Sequence, residues 1–123
     1  HQDGLDTERW DWRHPDAEPR RTWIEQCLQG TKGAYGVASD FLRALPNTIA
    51  RWFPRPPVAL GTDGFGRSES RAALRRHFEV DAQCIACAAL ADLARQGALA
   101  ADLAVQARRD LGVDPDKPSP LAI

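Results

Sequence analysis

Apolar positions fall in short clusters along the chain, and their spacing predicts helices separated by two brief strands. Asp6 is placed to cap a short helix through Trp10 and Trp12, which the His14-Pro15 step ends, because proline disfavours helical backbone in the residue before it. Trp23, Ile24, Cys27 and Leu28 stand at inward spacing in a second helix over residues 20–28, closed by Gly30. Tyr35 to Ser39 reads as a strand. A helix then follows Asp40, with apolar residues at Phe41, Leu42, Leu45, Ile49, Trp52 and Phe53. Pro46 must kink it or begin a fresh first turn, since proline has no amide donor. Arg55-Pro56-Pro57 connects to a second strand over Val58 to Gly61, so that strand, helix and strand make one crossover with parallel strands. Ser68 or Ser70 caps a helix running to about Phe78, and Asp81 caps the next, which Gly97 ends. A last helix from about Leu99 turns Leu103, Ala107 and Leu111 inward at steps of four and stops at Gly112. Asp114 to Pro120 holds three prolines, cannot continue a helix, and is expected to lie extended over the surface.

Two strands of this length do not make an independently stable sheet, and parallel strands need cover on both faces. The chain therefore reads as part of an α/β domain whose remaining strands lie elsewhere, most simply before His1. A first residue other than Met carries the same expectation of an upstream part.

Composition narrows the function classes. The 123 residues are 43% hydrophobic and 27% charged, enough for one domain with one core. A formal net charge of −1 argues against a general nucleic-acid binder, which needs a concentrated positive surface. No apolar run approaches the roughly 20 residues that span a bilayer, so no membrane partner is expected and the cytoplasm is the expected location. Cys27, Cys84 and Cys87 make an odd count with no disulfide framework. Cys84 and Cys87 spell C-x-x-C, yet a structural zinc needs four ligands, and Cys27, His14 and His77 supply no second spaced pair. A redox pair would open a helix after a strand, whereas these cysteines sit inside an alanine-rich helical segment, where they read as core packing. No metal site is expected.

Residues 61–70, GTDGFGRSES, carry the most distinctive chemistry. Glycines let a backbone approach an anion closely, and Arg67, Arg71 and Arg75 recur every four residues, which in a helix makes a cationic stripe. The phosphate-loop pattern needs a lysine where Arg67 stands, and the dinucleotide pattern needs a glycine where Glu69 stands. Gly61, Asp63, Gly64, Phe65, Gly66, Arg67, Ser68 and Arg71 are therefore the candidates for a turn, an interface contact or an anion site. No residue is assigned a catalytic, cofactor-binding or metal-binding role.

Asp6-Thr7-Glu8-Arg9-Trp10 with His14-Pro15, then GTDGFGRSESR over 61–71, LRRHFEVD over 74–81 and DPDKP over 114–118, closely resemble the C-terminal end of the homodimeric bacterial pyruvate dehydrogenases. The resemblance covers essentially the whole chain in consistent order. It implies a transketolase C-terminal-like domain of three layers with a mainly parallel sheet, lacking its first strands in this chain and filling 1–123, with the proline-rich tail at 113–123. It implies a parent oxidoreductase, part of a cytoplasmic multienzyme complex that leads from glycolysis to acetyl-CoA. That parent uses thiamine diphosphate and magnesium to decarboxylate pyruvate and pass the acetyl unit to a lipoyl group. The cofactor motif and the active-site histidines belong to earlier domains, so this segment is expected to bind no cofactor. Its implied partners are the rest of the parent enzyme or the other subunit of a homodimer and, through the complex, the dihydrolipoyl acetyltransferase.

The helix with Cys84 and Cys87, and Pro46, depart from the family's usual residues and suggest a divergent member. The leading expectation is a structural, dimer-supporting segment. The alternative is a stand-alone or split-subunit α/β module that completes a partner's domain. Trp10, Trp12, Trp23 and Trp52 are expected to anchor a core or an interface. His77 is expected to be a partly buried spacer and His14 a cap or turn residue.

Overall fold

A computed structural model describes residues 1–122. Ile123, the last residue of the expected extended tail, lies outside the described residues. Two three-residue strands, β1 (Gly36–Ala38) and β2 (Val58–Leu60), pair in parallel, with Gly36 opposite Val58, Val37 opposite Ala59 and Ala38 opposite Leu60. The crossover read from the sequence is present, and the sheet has only these two strands among the described residues. The connection between them is not the continuous helix expected. It is a four-residue α3 (Ala44–Asn47) followed by a 3-10 turn over Ala50–Trp52. Pro46 lies in the first turn of α3, where amide donors have no helical partner in any case, so the proline begins a fresh turn and keeps it short.

The first helix, α1 (Gln2–Arg13), begins four residues before the expected cap. Asp6 is inside it, accepting a hydrogen bond from the Gln2 side chain at 3.0 Å, one turn away. Its docking explains the longer span: Gly4 is buried against the Trp52 ring, and Glu8 accepts from Trp52 Nε1 at 3.0 Å and from Arg51 at 2.8 Å. His14 ends α1 as the C-cap, stacked on Trp10 with ring centroids 4.1 Å apart.

Residues 20–22 stay outside α2 (Trp23–Leu28), because Thr22 caps it: its hydroxyl accepts from the Glu25 amide at 3.2 Å while Glu25 accepts from the Thr22 amide at 2.7 Å. The expected inward face of α2 is only partly inward, with Ile24 and Leu28 half-buried. Trp23 is 66% exposed and Cys27 is exposed. Of the four tryptophans only Trp52, 4% exposed, is a buried anchor; Trp10 is half-buried and Trp12 is 71% exposed.

Three further helices follow, α4 (Arg71–His77), α5 (Ala82–Arg95) and α6 (Ala101–Asp110). Asp81 caps α5 by accepting from the Cys84 amide at 2.9 Å. Helix α5 packs on both strands and α6 packs on α5, so the core runs from the sheet through α5. Cys84 is buried and Cys87 half-buried on α5, the packing role their alanine-rich setting suggested. Leu103 is not inward as expected: it is 58% exposed, whereas Ala107 and Leu111 are half-buried. Helix α6 makes its main contact with α5, so a step of four residues turns only part of its apolar stripe onto a neighbour. The tail folds back instead of running extended throughout. Lys117 donates to the His77 carbonyl at 2.9 Å and to Glu79 at 3.1 Å, and a 3-10 turn forms over Pro120–Ala122.

Candidate functional site

Residues 61–71 begin at the carboxyl end of β2 and finish in the first turn of α4, and the structure divides them into two groups. Gly61 and Asp63 hold the chain to the segment that follows β1. The amide of Thr62 donates to the Phe41 carbonyl at 2.9 Å, and the Thr62 hydroxyl donates to the Asp40 carbonyl at 2.9 Å. Gly61 is buried, and a Cβ there would stand 2.5 Å from the Phe41 carbonyl oxygen and 2.8 Å from the Arg43 amide nitrogen. Glycine is required because two backbones meet. Asp63 pairs with Arg43 across the same seam.

Gly64, Gly66, Arg67 and Arg71 form the second group and line a cavity of about 360 Å³. Asp40, just past β1, and Thr62, just past β2, also line it, while Leu74, Phe78 and Val80 give it an apolar wall and Arg75 adds a third guanidinium. Gly64 takes a φ of +111°, and a Cβ there would lie 2.8 Å from the Pro120 carbonyl oxygen. A Cβ on Gly66 would meet nothing within 4 Å among the described residues. Phe65 is 80% exposed, and Ser68 is exposed. Ser70, the other of the two candidate caps, holds α4, accepting from the Ala73 amide at 3.2 Å.

The expected stripe of Arg67, Arg71 and Arg75 is not a helical stripe. Arg67 precedes α4, yet all three side chains reach the same cavity. Arg67 lies 2.9 Å from Nδ1 of His77. A guanidinium only donates, so Nδ1 must accept. Desolvation, then the charges of Arg67 and Lys117, hold the His77 imidazole below its ordinary value against an opposing pull from Glu79. The neutral ring that results suits the acceptor role. His77 is half-buried, as a spacer between α4 and the tail. Sequence reasoning missed Asp40, Thr62, Leu74, Phe78 and Val80 as members of this site. They come from three stretches of chain, and although Leu74 and Phe78 stand four residues apart, no spacing rule links them to Asp40 or Thr62.

No family model matches the chain. Among curated proteins, the pyruvate dehydrogenase E1 component of Pseudomonas aeruginosa is 40% identical over 120 residues, covering 97% of this chain and 14% of the relative. The E1 component of Cupriavidus necator is 39% identical over 121 residues, covering 98% and 14%. That of Escherichia coli K12 is 37% identical over 119 residues, covering 96% and 13%. The chain matches a segment of the pyruvate dehydrogenase E1 component. It spans about 14% of the length of the first two of these relatives. The magnesium ion that goes with thiamine diphosphate, the cofactor implied for the parent of an E1 segment, does not fit the residues gathered here. The cavity presents guanidiniums, which repel a divalent cation, and among the described residues no three His, Cys, Asp or Glu side chains come together to hold a metal ion. No helix among the described residues is long and apolar enough to cross a membrane.

Proposed function

We propose that this chain is the C-terminal, structural and dimer-supporting part of a thiamine-diphosphate-dependent pyruvate dehydrogenase. The parent decarboxylates pyruvate and passes the acetyl unit to a lipoyl group of the acyltransferase, with the cofactor bound by other parts of the enzyme. The fold proposed for the whole domain is the transketolase C-terminal-like three-layer arrangement, with residues 1–123 as its later portion. One observation carries this reading: a chain alignable with the Pseudomonas aeruginosa E1 component along 97% of its length has a parallel sheet of two short strands, each with an outer edge that pairs with no further strand among the described residues. Such edges accept further strands. Exposed Trp12, Trp23, Phe41 and Leu42 supply apolar surface for neighbouring parts of the enzyme or the other subunit.

The test joins unfolding and sedimentation. The 123-residue chain by itself is expected to give no cooperative unfolding transition, and to gain one when produced with the rest of the enzyme. The parent enzyme without this segment is expected to sediment as a monomer. A cooperative transition in the isolated monomer, or an intact dimer after the deletion, overturns the reading.

A further inference from the structure

The cavity beside α4 has features that the proposed structural role does not use. It opens at the carboxyl ends of two parallel strands, the position at which open α/β sheets bind ligands. Its volume of about 360 Å³ falls within the range of small-molecule sites. Its charge is one-sided, with three guanidiniums and a single carboxylate, that of Asp40. Arg43, Arg51, Arg55 and Arg76 each meet a carboxylate elsewhere in the fold. Arg71 and Arg75 make no ion pair and no side-chain hydrogen bond among the described residues. Two guanidiniums left unpaired at the rim of an apolar hollow match an oxyanion attached to an apolar body, since arginine binds carboxylate or phosphate through two parallel bonds.

We propose that this cavity binds a small organic oxyanion, a carboxylate or phosphate on an apolar body, with Arg71 and Arg75 holding the charge and Leu74, Phe78 and Val80 covering the body. Arg67 keeps its bond to His77 and ties the loop whose Gly64 and Gly66 line the cavity to the end of α4.

The experiment is a calorimetric titration of the whole enzyme that contains this chain, with three probes: inorganic phosphate, phenyl phosphate and 3-phenylpropionate. Phenyl phosphate is expected to bind about tenfold or more tightly than inorganic phosphate, because the ring is buried against the apolar wall. Comparison of the two aromatic probes decides between phosphate and carboxylate as the charged group. Arg71→Ala and Arg75→Ala are each expected to weaken the preferred aromatic probe about tenfold. Arg75→Lys should fall between wild type and Arg75→Ala, because charge remains while the paired geometry is lost. Arg95→Ala, on the exposed end of α5, should change nothing. Both arginines are exposed, so folding survives their removal. Absence of saturable binding of both aromatic probes, or binding in Arg71→Ala and Arg75→Ala as strong as in the wild type, overturns the proposal.

Discussion

Gly64 and Gly66 sit two residues apart in one loop, and replacing each by alanine should have opposite consequences. At Gly64 the backbone holds φ at +111°, which an L side chain rarely adopts, and the new Cβ would meet the Pro120 carbonyl oxygen at 2.8 Å. The conformational strain costs about 1–3 kcal/mol. The contact adds to it, because a backbone carbonyl cannot rotate away as a side-chain end could. At Gly66 the φ lies outside the left-handed region and the Cβ would enter open space. Alanine there restricts the unfolded chain and stabilises by about 0.4–1 kcal/mol. The two variants should therefore differ by about 2 kcal/mol or more in local opening, a factor of about 30 in exchange rate. Hydrogen exchange followed by mass spectrometry, on peptides covering 61–70 and 113–122, reads both sides of the contact in the assembled enzyme. Gly64→Ala should accelerate exchange in both peptides; Gly66→Ala should slow it slightly in the first and leave the second unchanged. Equal exchange in the two variants, or acceleration confined to 61–70, would refute the placement of the tail against the loop.

Other substitutions probe other contacts. Gly4→Ala should destabilise the docking of α1 by about 1–2 kcal/mol, since overpacking against the Trp52 ring outweighs the roughly 1 kcal/mol gained in helix propensity. In a Trp52→Leu background the same change should become stabilising, and exchange in residues 2–13 reads the sign. Asp81→Ala should cost about 1 kcal/mol, measured by exchange at the start of α5, because the cap on the Cys84 amide is lost. Desolvation first, and then the hydrogen bond and charge of Asp81, push the Cys84 thiol up to about 12, so at pH 8 a thiol reagent should label exposed Cys27 well before Cys84. For His77 the folded value is depressed, so its contribution is present above the ordinary imidazole value of about 6.5 and is lost as pH falls below that. A proton NMR titration should place its midpoint below 6.5 and show it rising in Arg67→Ala.

The helix boundaries that proved legible are those fixed by local chemistry. Asp81 and Ser70 cap helices because a short side-chain oxygen reaches an amide two or three residues on, which any sequence reader can count. The same holds for the parallel crossover between residues 36 and 60, where two β-rich clusters flank a proline-broken stretch. Legibility failed where the partner is distant. The start of α1 at Gln2 depends on Gly4 and Glu8 meeting Trp52, and Trp52 is more than forty positions away in the chain. Trp23 carries a core-like residue type at inward spacing, yet α2 has little to pack against, so its ring stays in solvent.

The candidate loop shows the same division. From order and type alone, residues 61–71 read as a glycine-rich turn leading from a strand into a serine-capped helix, and their resemblance to the bacterial pyruvate dehydrogenases follows from that order. Which glycine serves which purpose was settled only in three dimensions: Gly61 lets the Phe41 carbonyl approach, Gly64 lets the tail approach, and Gly66 borders the cavity. The gathering of Arg67, Arg71 and Arg75 with Asp40 and Val80 was likewise a tertiary outcome. Local spacing determines caps, turns and periodicity because those interactions span a few residues. The charge and shape of a cavity depend on which distant segments the packing of α4 and α5 brings to the ends of the strands, and no short-range pattern encodes that.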